Sequence, residues 1–241
     1  MKFRFTGFSD PGLVRSANQD AYHIDPQGRF AIVADGMGGH AGGEEASRIA
    51  KQVIQVYLVE HWDSAEPNQA LLEAAFCQAN QAIVQDQQKY PQRSDMGTTA
   101  VAVIVREKQF YCAHVGDSRL YRLRDSKLQQ ITEDHTWVAR ALKSGELTLE
   151  EVRSHPWRHI LLRCLGREDL DQIDVQALDV QPGDRLLLCS DGLTEELSDE
   201  LIAYHLQSNR PVKQAVVALV KAAKDNGGHD NITVAIGEIE D

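Results

Sequence analysis

A basic excess is what this chain most clearly lacks. It carries 25 Lys and Arg against 36 Asp and Glu, a formal net charge of −11. No cationic stripe is left over for a nucleic-acid backbone or an anionic membrane surface, so neither partner is expected. Long apolar runs are missing too: Ala100–Val105 and Leu186–Cys189 are strand-sized, far short of a membrane span. The opening Met-Lys-Phe-Arg-Phe-Thr-Gly has no apolar signal-like core and reads as a first strand. Cysteine is scarce and scattered, at Cys77, Cys112, Cys164 and Cys189 with no CxxC pair, which points to neither a zinc site nor a disulfide frame. No repeat, low-complexity tract or linker divides the 241 residues. A single domain over 1–241, cytoplasmic and monomeric, is expected.

What is present is an ordinary globular composition, 42% hydrophobic and 25% charged. Short strand patterns open the chain at Lys2–Phe8, Ala21–Asp25 and Phe30–Ala34. Helical spacing follows over Glu44–His61 and Asn68–Lys89. A β-rich block comprises Thr98–Arg106, Gln109–Val115, Arg119–Arg124 and Lys127–Gln130, joined so tightly that antiparallel hairpins are expected. Polar, irregular Glu133–Arg167 interrupts with two short helical stretches. Strands resume at Ile173–Leu178 and Asp184–Cys189, then helices at Ser198–Gln207 and Val212–Lys224, then a strand at Asn231–Ile239. Helices arriving in consecutive pairs favour α+β, with helix pairs covering antiparallel sheets, over a doubly wound parallel sheet.

Five aspartates, Asp20, Asp35, Asp117, Asp191 and Asp230, sit at strand ends, four of them with glycine within two residues. Each alone reads as a turn residue. Together they read differently, because carboxylates converging at buried strand ends would repel one another unless a cation compensated. Oxygen ligands without matching Cys or His select Mg²⁺ or Mn²⁺ rather than zinc. The run Gly36-Met37-Gly38-Gly39-His40-Ala41-Gly42-Gly43 has a rival reading as a dinucleotide loop. Against it, Asp35 would sit beside a pyrophosphate, and no acidic residue ends a second strand about 20 residues on.

Arg15-Ser16-Ala17-Asn18-Gln19-Asp20, Val33-Ala34-Asp35-Gly36-Met37-Gly38-Gly39, Gly97-Thr98-Thr99, Gly116-Asp117-Ser118-Arg119, Ser190-Asp191-Gly192-Leu193 and Asp230-Asn231-Ile232-Thr233 follow one another as in the PPM (PP2C-type) metal-dependent Ser/Thr protein phosphatases. The chain resembles a bacterial-type, single-domain member over Phe5 to Ile236. The resemblance implies an α-β-β-α sandwich of two antiparallel sheets flanked by helix pairs, and hydrolysis of phosphoserine and phosphothreonine on proteins by a metal-bridging hydroxide. It implies that Asp35 bridges two Mg²⁺ or Mn²⁺ ions and that the Gly36 carbonyl ligates one of them. Asp191 and Asp230 would hold the other ion, and Asp20 would act through metal-bound water. Asp117 with Asp191 would hold a third, weaker ion. Arg15 would bind the substrate phosphate, its planar fork matching two phosphate oxygens.

Other residues stay secondary. Relatives with histidine directly after Asp-Gly use it to protonate the leaving oxygen; here Met37 stands there and His40 comes later, so a general-acid and a structural role both remain open. His229 reads as a turn or supporting residue, and His23, His61, His114, His135, His155, His159 and His205 show no convergent pattern. Ser118 and Ser190 lie in no GxSxG motif and are set aside as nucleophiles. Trp137 and Trp157 are expected to anchor Glu133–Arg167, which resembles the family's flap. A catalytically silent domain of the same fold and a nucleotide-binding oxidoreductase are the rival readings.

Overall fold

Strand β3 (Phe30–Met37) is buried at nearly every position, as a strand covered on both faces must be, and its neighbours show what covers it. The computed structural model describes residues 2–38, 42–207 and 210–240. β3 lies between β2 (Asp20–Ile24) and β5 (Ala100–Arg106), followed outward by β6 (Gln109–Val115) and β9 (Asp174–Leu178), while the two-residue β4 (Gly97–Thr98) pairs with the end of β3. The second sheet runs β1 (Lys2–Asp10), β11 (Ile232–Glu240), β10 (Arg185–Cys189), β7 (Arg119–Arg124) and β8 (Lys127–Gln130). Every paired strand among the described residues is antiparallel. The βαβ unit that a dinucleotide loop needs is therefore not formed there.

Helices α1 (Gly42–Glu60) and α2 (Asn68–Lys89) cover the first sheet. Ala46, Ala50, Ile54 and Leu58 recur every fourth residue as the buried stripe of α1, and they join Leu72, Phe76 and Ile83 of α2 against Phe30, Ile32 and Ile104. Helices α6 (Asp199–Leu206) and α7 (Val212–Asp225) cover the second sheet, with Leu219 and Val216 packed on Leu187 and Val234. Between the sheets, Phe3, Phe5, Val101, Val103, Phe110, Leu186 and Leu188 form a third core. The result is the α-β-β-α sandwich that the family resemblance implies. Its hairpins β5–β6 and β7–β8 turn on Glu107-Lys108 and Asp125-Ser126, all four with positive φ, the paired left-handed geometry that two-residue hairpins prefer.

Two connections differ from the expectation. The short link from β6 to β7 is not a hairpin: β6 belongs to the first sheet and β7 to the second, so Gly116-Asp117-Ser118 carries the chain across the sandwich. Thr98–Arg106 is not one strand either. It breaks at Thr99, whose amide donates to the Asp35 carbonyl at 2.9 Å and whose hydroxyl accepts from the Asp35 amide at 3.1 Å. Both breaks lie beside the aspartates. The segment 133–167 holds α3 (Trp137–Ser144) and α4 (Leu149–Ser154). Thr136 caps α3, Gly145 closes it with φ 79°, and Thr148 and Glu151 form a capping box on α4. No described helix is long and apolar enough to cross a membrane.

Candidate active site

Antiparallel pairing sets Asp20 directly opposite Asp35 on β2 and β3. On the other sheet, β10 ends at Cys189 and Ser190 leads into a helical turn, α5 (Asp191–Thr194), while Asp230 and Asn231 lead into β11. Ser190 staples the two sheets at this end. Its hydroxyl donates to Asp20 Oδ2 at 2.8 Å and accepts from the Thr233 amide at 3.0 Å. Asn231 does the same for the loop that carries Arg15: its Oδ1 accepts from the Gln19 amide at 2.8 Å, and its Nδ2 donates to the carbonyls of Pro11 and Ala17 at 3.0 and 2.9 Å.

Close packing explains the neighbouring glycines. A Cβ on Gly36 would stand 2.0 Å from the Gly43 carbonyl oxygen, so only glycine lets the start of α1 approach β3. Gly116 has φ +104°, and a Cβ there would meet the Thr99 side chain at 2.5 Å. Thr98 Oγ1 donates to the Asp35 carbonyl at 2.7 Å, and Thr99 Oγ1 and Ser118 Oγ share a hydrogen bond of 2.7 Å. The Gly-Thr-Thr and Gly-Asp-Ser motifs thus hold each other and the Asp35 backbone.

The carboxylates make one electrostatic unit. Burial, then the charges of Asp20, Asp191 and Asp117, drives the Asp35 pKa well above the ordinary carboxylate range. Burial, then Asp191, does the same to Asp117. Asp20 is pushed up to about 7, by burial first and against the hydrogen bonds it accepts from Thr233 and Ser190. Asp191 is raised by burial and by Asp230, and it shares a hydrogen bond with Asp35. Of the nearby cations, one is committed outside the set and one pairs within it. Arg119 grips Asp134, Nε to Oδ1 at 2.9 Å and Nη2 to Oδ2 at 2.7 Å. Arg15, 53% exposed, pairs with Asp230 alone at 2.6 Å. Asp20 Oδ1 is buried without a hydrogen-bond partner. Converging carboxylates, an orphaned acceptor and no thiolate fit a hard divalent cation held by oxygen.

The structure therefore gathers Asp20, Asp35, Asp117, Asp191 and Asp230, with Gly36 beside Asp35 and Arg15 at the edge. His40 lies outside the described residues. His229 Nδ1 is 2.8 Å from Glu196 Oε1. The absence of pattern among the remaining histidines is corrected in two places. His159, in the irregular 133–167 segment, lies 2.8 Å from Glu195 Oε1, and ligand atoms of His159, Asp191 and Glu195 fall within 4.8 Å of one another. His114 and His135 stack with ring centres 4.6 Å apart beside Asp174. Chain separation hid both groups. The one available signal was His114 on the inward face of β6, two residues after Cys112 and four after Phe110, where an apolar side chain is the rule. In the flap, Trp137, His155 and Trp157 form an aromatic cluster, the two indoles edge-to-face at 4.9 Å.

Comparison with known proteins places the chain among relatives of the same fold. The family model for protein phosphatase 2C matches residues 14–233. The serine/threonine protein phosphatase PstP of Mycobacterium tuberculosis is 38% identical, over 99% of this chain and 45% of PstP. This chain thus spans about half the length of that relative. The serine/threonine phosphatase stp of Listeria monocytogenes is 36% identical over 95% of this chain and 93% of its own. A PstP crystal structure superposes with a TM-score of 0.88 at 38% identity, covering 100% of both chains. The PstP catalytic domain in complex with 2 manganese ions superposes at 0.84 with 36% identity and 99% coverage of both.

Proposed function

The chain belongs to the protein phosphatase 2C family, and from that premise we propose that residues 1–241 form one catalytic domain that hydrolyses phosphoserine and phosphothreonine on proteins. The observation that carries this reading is the buried, mutually repelling set Asp20, Asp35, Asp117 and Asp191, none of which forms an ion pair among the described residues. Asp35 and the Gly36 carbonyl would hold two Mg²⁺ or Mn²⁺ ions together with Asp191 and Asp230. Asp20 would act through coordinated water, and Asp117 with Asp191 would hold a third, weaker ion. When bound, such ions activate water and neutralise the charge that builds on a phosphoryl group.

The chain's own residues do the rest. The Thr98 and Thr99 contacts fix the Asp35 backbone, and Ser190 fixes Asp20, so the carboxylates need no rearrangement when charge develops. Arg15 is anchored at one nitrogen and exposed elsewhere, which leaves guanidinium donors to orient a phosphate monoester at the rim. His40, which comes after Asp35-Gly36-Met37-Gly38-Gly39 in the sequence, is proposed as a proton donor to the leaving oxygen. A monomer in the cytoplasm, acting on phosphorylated proteins rather than nucleic acid or membrane, completes the proposal.

The test is hydrolysis of a phosphothreonine peptide and p-nitrophenyl phosphate by the chelated protein, then with Mn²⁺ or Mg²⁺ restored. Turnover that appears only with the ion is expected. No hydrolysis of either substrate with either ion overturns the reading and favours a silent domain.

A further inference from the structure

The strongest feature left unused is the pair of buried imidazoles, His114 and His135, beneath the link that carries Asp117. The Gly116 amide donates to His135 Nδ1 at 3.1 Å. That nitrogen therefore keeps its lone pair, which assigns the ring proton to Nε2, 3.2 Å from Asp174 Oδ2 and, more distantly, 3.5 Å from Arg163 Nη1. Arg163 Nη1 donates to the other oxygen, Asp174 Oδ1, at 3.2 Å. His114 Nε2 faces the Glu133 carbonyl at 2.9 Å, and its ring stacks on His135 and fixes the plane of that imidazole. Burial lowers the pKa of both rings, which agrees with neutral imidazoles. The main chain of the same residue works in two directions: the His135 amide donates to the Gly116 carbonyl at 3.0 Å, and the His135 carbonyl accepts from Leu162, further along the 133–167 segment, at 2.7 Å.

We propose that His135 is a positioning residue, its Nδ1 holding the Gly116 amide and with it the Asp117 carboxylate, while its main chain moors the flap to the same point. Gly116 is where the chain crosses between sheets with φ +104°, a backbone that glycine adopts freely but does not itself fix, so contacts from outside set its position. Asp174 sets the tautomer, as an outer carboxylate does for a ligating histidine. A metal site built on His114, His135 and Asp174 is disfavoured although their ligand atoms lie within 4.8 Å. Its ion would displace the Nε2 proton, force a proton onto Nδ1 against the Gly116 N–H, and compete with Arg163 for Asp174.

The inference rests on the phosphatase reading, so two kinds of measurement separate their failures. In the full chain with Mn²⁺, His135→Gln removes the Nδ1 acceptor, whereas His135→Asn places Oδ1 where Nδ1 stood. With p-nitrophenyl phosphate, His135→Gln is expected to lower kcat by about 10-fold or more, with KM and calorimetric affinity for the tighter Mn²⁺ pair within about twofold of wild type. His135→Asn is expected to recover most of the loss. Equal losses in both variants, or none in His135→Gln, overturn the proposal. Nitrogen-15 NMR of the wild-type ring, which needs no variant to fold, is expected to show the Nε2–H tautomer; the Nδ1–H form overturns it. A wild type that hydrolyses nothing would sink the phosphatase reading while the ring tautomer still decides the Gly116 contact.

Discussion

Two charged clusters lie near the Gly116 crossing, and although burial raises carboxylate pKa values in both, their neighbours act in opposite ways. In the first, Asp20, Asp35, Asp117 and Asp191 are pushed towards the protonated form by burial and by one another. In the second, Asp174 meets an imidazole N–H and a guanidinium, and its pKa is held below the ordinary value by those contacts despite burial. The second cluster balances its own charge and so supports architecture. The first cannot balance without something from outside. Buried charge left uncompensated costs several kcal/mol per group, which makes it the better marker of a ligand.

Removing a charge from the unbalanced cluster breaks that contrast most directly. Asp35→Asn is expected to cut Mn²⁺-dependent turnover by about 10³-fold or more, while the metal-free protein becomes more stable. The sign follows from the raised pKa. The unfolded carboxyl ionises near 3.8, the folded one higher. The native state is thus unpenalised below that pH and loses stability as pH rises through the window up to the folded pKa. Thermal melts in chelator should show wild type falling behind Asp35→Asn from about pH 4 upward. A stability loss in the variant at pH 8 would return Asp35 to a structural role.

Asp117 sits where the two clusters adjoin. Asp117→Ala should lower kcat by about a hundredfold and leave calorimetric binding of the two tighter Mn²⁺ ions intact. Full activity with a lower Tm would make Asp117 a turn residue. Arg15 tests the rim. Its ion pair with Asp230 is half exposed and contributes no more than about 1 kcal/mol to stability. Arg15→Ala should therefore leave Tm unchanged but raise KM for phosphomonoesters about tenfold, the loss of one charge-assisted contact.

These two regions also differ in how far the sequence discloses them. Asp35-Gly36 and Asp191-Gly192 end apolar runs, and a carboxylate at a buried strand end announces itself in one dimension. The α+β pattern was legible for the same reason, since Phe30–Ala34 is an unbroken apolar run and Asn68–Lys89 recurs at helical spacing, whereas the sandwich came with the family resemblance. The β6–β7 crossing was not legible, because a three-residue link looks the same whether it returns to its own sheet or leaves for the next. The His114–His135–Asp174 group was hidden by distance. His114 and His135 are separated by β7 and β8, Asp174 comes after the flap, and only the pairing of His114 with Asp174 across β6 and β9 makes them neighbours. His159 reaches Glu195 through an irregular segment whose path no periodicity encodes.

The flap gives the smallest expected effect and the finest division between chemistry and recognition. Arg140 projects from α3 and is exposed, while Val138 and Ala141 of the same helix are buried. The Thr136 cap and Gly145 stop fix that helix without Arg140, so Arg140→Ala is a surface change expected to move stability by no more than about 0.5 kcal/mol. On the proposed reading, a small aryl phosphate binds at the carboxylate end and has nothing beyond its ring with which to meet α3. A phosphopeptide extends beyond the phosphoryl group and can meet the flap. Arg140→Ala should therefore leave kcat/KM for p-nitrophenyl phosphate unchanged and lower it about threefold for an acidic phosphopeptide, the scale of one exposed charge pair. Paired kinetics on one preparation decide the matter. An equal fall on both substrates would mean that the change reaches the aspartates through the His135 mooring, and the division between chemistry below and recognition above would be lost.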